Sequence, residues 1–311
     1  MSLTGHLKDS KSPVKHFFQE NLPNTRFKEI RTLALEGRAE GANSPTSAWE
    51  AGDLKVLPSD EDGFPWHTVG TAFDYRVRYF FNAAPTQDLV AHRGAVQMAI
   101  SFGSQGIPRA FRELEAELKT MSPELGPRLL QPEKELRLNH LCYVLALYEQ
   151  VFRSPTGIDA PIGYAGIDAT LEELIALCPE TVAKDLFELA KLFYESQYAL
   201  LTQESAILNP TFGASKLLGG ADADLIINRR LIDIKTTKTR PSPGRQYLWQ
   251  LAGYVLSDFK NAYKIEEVGF YFSRHGKTLT WSVDEYFNYL AGTKVSINKL
   301  RKDFESFLTS M

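Results

Sequence analysis

Cysteine is nearly absent from this 311-residue chain, which has only Cys142 and Cys178. Two thiols far apart, in segments of helical spacing, make no disulfide framework and cannot by themselves hold an iron–sulfur cluster. They are expected to be small buried side chains. Long apolar runs are also missing, so no segment is expected to span a bilayer. The N-terminal stretch lacks the pattern of a secretory signal, and a cytoplasmic location without membrane association is expected. Nor is there an excess of basic charge: 35 Lys and Arg against 38 Asp and Glu leave a net charge of −3. Proteins that coat a polyanion non-specifically tend to be basic overall. Nucleic-acid binding would need a local basic patch here, with metal ions offsetting acidic site residues. Internal repeats and low-complexity tracts are absent too.

What is present suits an ordinary globular protein, since 43% hydrophobic and 23% charged residues are enough to build a sizeable core. The first dozen residues are polar and expected to fray. Ser12-Pro13 reads as cap and first turn of a helix carrying Val14, Phe17 and Phe18. Residues 37–63, rich in Gly, Ser, Pro and Asp, read as irregular. Further helices are predicted after Gly70, from Pro108, from Pro132 and from Pro179 to Leu201, each with apolar residues at helical spacing. From Ser205 the character changes. Strand-like segments at Leu225–Ile227, Leu231–Ile234 and Val268–Phe272 surround one strongly helical stretch, Gln246–Leu256. A tail helix follows at about 293–309, with Val295, Ile297, Leu300, Phe304 and Phe307 at core spacing. This order predicts one α/β domain with a large helical insertion at about 90–200.

The segment from Gly219 to Lys235 carries the chemistry. Its halves alternate apolar and polar residues around a short polar turn. A two-residue turn at Asn228-Arg229 sets Ile227 opposite Arg230, Asp224 opposite Asp233 and Asp222 opposite Lys235. All four charged groups then share one face, while Leu225, Ile227, Ile232 and Ile234 take the other face or the core. Like charges directly opposed destabilise a strand pair. A hard divalent cation offsets that cost, because Mg²⁺ takes oxygen ligands and is held by one or two carboxylates plus water and phosphate. Such a metal polarises phosphoryl oxygens and acidifies water, and Lys235 would orient the nucleophile or stabilise charge on the phosphate. The tripeptide Asp-x-Lys alone means little: Asp9-Lys11, Asp53-Lys55, Glu117-Lys119 and Asp258-Lys260 fit the same Asp/Glu-x-Lys pattern. What distinguishes Asp233-Lys235 is its apolar setting and the acidic strand placed to pair with it. A solvated salt-bridge face is the bland alternative.

With these residues in view, the sequence resembles the PD-(D/E)xK nuclease superfamily, in its RecB-type branch that includes CRISPR-associated exonucleases. Gly220, Asp222, Asp224 and Leu225 resemble that branch's G-x-x-D-L strand, and Asp233-Ile234-Lys235 its D/E-x-K strand. Gln250-Leu251-Ala252-Gly253-Tyr254 is similar to its Q-x-x-x-Y helix. Gln246, Gln250 and Tyr254 recur every four residues and line one helical stripe. An earlier mark is altered: where the family has a glycine and, four residues on, a metal-binding histidine, Gly70 is followed by Asp74. Either Asp74 replaces the histidine as ligand, or that helix matches in structure only.

The resemblance covers about 66–80 and 205–275. It implies a restriction-endonuclease-like core, with a central mixed sheet flanked by helices, and a single nuclease-like domain over 1–311. It implies a metal-dependent phosphodiesterase acting on DNA with Mg²⁺ or Mn²⁺ and without an iron–sulfur cluster. Asp224 and Asp233 would hold metal, helped by Asp222 or Asp74 and by the carbonyl of Ile234. Gln250 and Tyr254 would orient substrate or lysine. Arg76, Arg78, Lys238, Arg240 and Arg245 are candidate phosphate contacts, and Arg229 and Arg230 stand at the turn. Glu188, Glu195 and Glu204 are further carboxylates with nothing to favour any of them. His140 reads as a satisfied helix histidine and His275 as a turn residue. Two alternatives keep the fold: a catalytically silent nucleic-acid-binding or assembly module, and a nucleotide phosphohydrolase.

Overall fold

Two segments distant in sequence, Met1–Asp53 and Gln203–Met311, form one compact unit, and Leu54–Thr202 between them forms a second. The structure, a computed structural model, describes residues 1–34, 54–58, 63–82, 89–103, 106–153, 161–166, 168–202, 206–237 and 244–311. The chain is mixed α/β.

The first unit opens with α1 (Leu3–Lys8), α2 (Pro13–Asn21) and α3 (Phe27–Ile30). The expectation of a frayed N-terminus is corrected here. Ser2 caps α1, its Oγ accepting from the Gly5 N–H at 3.3 Å. Leu3 and Leu7, one turn apart, are both buried. Two leucines among polar neighbours are too short a stripe for periodicity to show, yet they suffice to seat one helical turn.

The second unit is helical among its described residues: α4 (Trp66–Phe81), α5 (Val90–Phe102), α6 (Gly106–Met121), α7 (Pro132–Arg153), α8 (Leu171–Ile175) and α9 (Glu180–Leu201). The starts near Pro108, Pro132 and Pro179 come out within a few residues of expectation. Helix α7 is its axis. Buried residues on every side of it, from Leu138 through Tyr148 to Val151, pack against α4, α5 and α9. Helix α4, expected with the catalytic core, falls in this unit. Cys142 and Cys178 are free and buried, and burial raises both thiols, that of Cys178 to about 12. Thiol reagents attack the thiolate. Neither cysteine is therefore expected to react with Ellman's reagent at pH 8 in native protein, while both react promptly in denaturant.

The rest of the first unit is built on a sheet of β1 (Ala206–Leu208), β2 (Leu225–Ile227), β3 (Arg230–Lys235), β4 (Glu267–Phe272) and β5 (Lys277–Ser282), lying in that order. All neighbours are antiparallel except β3 and β4, which are parallel. Parallel neighbours need a crossover. Here α11 (Arg245–Ser257) lies between them in sequence, as α10 (Ser215–Leu218) does between β1 and β2, and α12 (Val283–Ala291) and α13 (Ile297–Ser310) complete the unit. Ile226, Leu231, Val268, Phe270, Phe272, Leu279 and Trp281 share one sheet face and enter a core with Leu248, Leu251 and Val255 of α11 and Phe304 of α13. Trp249 and Trp281 donate their indole N–H groups to the carbonyls of Leu22 and Ile30, tying the first helices to that core. Among the described residues no helix is long and apolar enough to cross a membrane.

Candidate active site

The hairpin turns as its sequence predicts. Asn228 and Arg229 have φ of 46° and 65°, the left-handed pair that a two-residue turn requires. Ile227 pairs with Arg230, and the ladder runs back to Leu225 opposite Ile232. Asp224 immediately precedes β2, and the same register carried one step further sets it against Asp233. Asp224 is bound to the facing strand directly: its Oδ2 accepts from the Ile234 N–H at 2.6 Å. The Asp222 backbone bridges Thr211, which continues the β1–β2 register on the side away from β3. Of the two aspartates, Asp224 is the one that the sheet fixes beside Asp233.

The acidic face is not a solvated one. Leu231, Asp233 and Lys235 alternate on β3 toward the face that α11 shares, and β3 register sets Asp233 against Phe270 and Lys235 against Phe272. Asp233 is 3% exposed. Burial raises its carboxyl above the ordinary carboxylate range, and the attraction of Lys235, with which it forms an ion pair, only partly opposes this. Desolvation wins because little solvent reaches the carboxylate, while Lys235 alone among the described residues pulls the other way.

Helix α11 holds the lysine from the other side. Lys235 Nζ donates to Gln250 Oε1 at 3.2 Å and lies 4.4 Å from the centre of the Tyr247 ring. The Gln250 amide nitrogen donates to Tyr254 Oη at 2.7 Å and to Thr4 Oγ1 at 3.1 Å. Gln250 and Tyr254 are one turn apart, so a single helical face delivers both. Tyr254 stacks on Phe212. Burial first, then Asp233, Asp224 and Asp222, push its hydroxyl well above the usual phenol range.

Two acidic side chains on adjacent strands are an oxygen donor set that suits Mg²⁺ or Mn²⁺ completed by water and phosphate. Among the described residues no three His, Cys, Asp or Glu converge as a preformed metal cage.

The other candidates lie elsewhere or are already engaged. Arg76, expected at phosphate, is corrected: it is 1% exposed within the helical unit, where its Nε and Nη2 donate to Glu135 at 2.6 and 3.1 Å. Arg78 is largely buried as well and pairs with Asp74 one turn earlier on α4, so neither arginine is a free phosphate contact and the Asp74 carboxylate already has a counter-charge. Lys238 and Arg240 lie outside the described residues, as does Glu204. Arg245 is exposed in the first turn of α11, its guanidinium over Trp249 and bonded to Thr25. Glu188 and Glu195 are exposed helix residues. His140 bonds to the Leu136 carbonyl, the satisfied helix histidine expected. His275 ends a short 3-10 turn but is 3% exposed, and burial holds its imidazole below the ordinary range.

Sequence reasoning missed Thr4 and Tyr247. Tyr247 sits one turn before Gln250 and was legible as its neighbour. Thr4 was hidden because its helix was expected to fray, although Ser2 with Leu3 and Leu7 was the signal. Compared with known proteins, the chain matches no family model, no curated protein and no solved structure.

Proposed function

We propose that the first unit is a metal-dependent nuclease that hydrolyses phosphodiester bonds, with DNA as substrate, on a restriction-endonuclease-like core. The observation that carries this is the juxtaposition of Asp224 and Asp233 on neighbouring strands with Lys235, whose ammonium is held by Gln250 of the following helix. An ordinary salt-bridge face is solvated, and its members need no dedicated partner from another element. Here Asp233 is buried, and Lys235 is braced by Gln250.

Asp224 and Asp233 would hold Mg²⁺ or Mn²⁺, with Asp222 and the Ile234 carbonyl as further oxygen donors. Bound there, the cation supplies charge neutralisation at the phosphate and a more acidic water. Lys235 presents an ammonium to the phosphate or the attacking water, and Gln250 sets its direction. Tyr254 stays a phenol at any working pH, because burial and three nearby carboxylates oppose its ionisation. Its part is orientation rather than proton exchange. Arg245, exposed beside the site on the same helix, offers a phosphate contact.

The experiment is incubation of the purified chain with linear, circular and single-stranded DNA in Mg²⁺, Mn²⁺ or EDTA. Cleavage is expected with either metal, is lost in EDTA and returns on adding metal in excess. DNA binding without cleavage under every metal condition would instead favour a silent module. Hydrolysis of free nucleotides alone would favour a phosphohydrolase.

A further inference from the structure

Helix α1 touches both halves of the site. Its Leu3 N–H donates to the Gly220 carbonyl at 2.8 Å, at the start of the segment that carries Asp222 and Asp224. On the other side Leu3 packs against α11 at Gly253, where an added Cβ would stand 2.7 Å from Leu3 Cδ2 and 3.3 Å from Phe18. Glycine at 253 is what lets α1 approach that closely. The contact sets Thr4 over Gln250, where Thr4 Oγ1 accepts from the amide at 3.1 Å.

A glutamine amide has a donor end and an acceptor end, and turning it over exchanges them. Here the acceptor end must face the Lys235 ammonium. The amide nitrogen is directed away from the lysine by two acceptors, the hydroxyl oxygens of Tyr254 and Thr4. Remove one and the preference for that orientation weakens. We infer that Thr4 is a positioning residue of the site: through the Gln250 amide it holds the Lys235 ammonium in place, so that the N-terminal helix is part of the site machinery and not a decoration of the core. Its role in the reaction rests on the nuclease function proposed above. The placing of Gln250 does not.

The test uses the full chain with ¹⁵N-labelled glutamine, comparing wild type, Thr4→Val and Thr4→Ser. Valine keeps the shape and removes the acceptor, and Leu3 and Leu7 stay in place to seat the helix. In Thr4→Val the Gln250 side-chain amide resonances are expected to move. The turnover rate in Mg²⁺ falls about tenfold with KM unchanged, within the ~100-fold that small misplacements of a catalytic group cost. Thr4→Ser restores both. Unmoved resonances in Thr4→Val, or a valine variant that cuts as fast as wild type, would overturn the assignment. Moved resonances in a protein that never cleaves DNA would uphold the placing of Gln250 and sink the nuclease reading instead.

Discussion

Asp233→Asn is expected to abolish metal-dependent cleavage while leaving the protein folded. The side chain is 3% exposed and its carboxyl is raised by burial, with Lys235 pulling the other way. A carboxyl whose pKa is raised on folding binds its proton more tightly in the folded chain than in the unfolded one. Its contribution to stability is therefore fully present below the unfolded value and is lost as pH rises from the ordinary carboxylate range through the raised one. Asparagine cannot titrate, so metal-free Asp233→Asn is expected to lose this part of the pH dependence. It also cannot offer a metal the charge that a hard cation needs. Charge stabilisation of several kcal/mol at the phosphate corresponds to a loss of roughly 1000-fold or more in rate. Single-turnover cleavage with urea melts at pH 5 and 8 measures both effects. Cleavage surviving in Asp233→Asn, and likewise in Lys235→Ala, would remove this site from the reaction.

The second large effect is on stability and lies in the helical unit. Arg76→Ala is expected to cost about 3–5 kcal/mol, the usual consequence of stranding one member of a buried ion pair. Glu135, 0% exposed, would lose its counter-charge and keep, among the described residues, the Leu130 N–H at 3.0 Å. The guanidinium also lies 3.7 Å from the centre of the Phe80 ring, so packing is lost with the charge. Replacing both partners by apolar residues, Arg76→Met with Glu135→Leu, is expected to recover most of the loss, because no charge is then left buried. Urea denaturation of the single and double variants measures this. A loss below about 1 kcal/mol in Arg76→Ala would place the arginine in solvent after all.

These two arginine and aspartate positions show how legible the chain is. Asp233 was readable because strand chemistry is local: alternation and a polar dipeptide at Asn228-Arg229 fix which residues oppose one another, and Ile227 does pair with Arg230. Gln250 and Tyr254 were readable as one helical stripe for the same reason. Arg76 was misread because nothing in a sequence distinguishes an arginine that reaches solvent from one that meets a glutamate 59 residues away. Alternation gives two faces but not which of them a later helix covers, and the charged face proved to be the one that enters the core with α11.

The sequence by itself determined the local order of this protein: the hairpin and its register, the helix that follows it, the helical middle and two buried cysteines. Each depends on contacts within a turn or between neighbouring strands, which periodicity and turn chemistry encode. Only the tertiary structure decided that α1 sits on the Gln250 helix, that Asp233 is buried beside Lys235, and that the Asp224 carboxylate accepts from the lysine strand. Those are packing outcomes between segments as much as 246 residues apart. They depend on which surfaces find each other, and no local pattern records that.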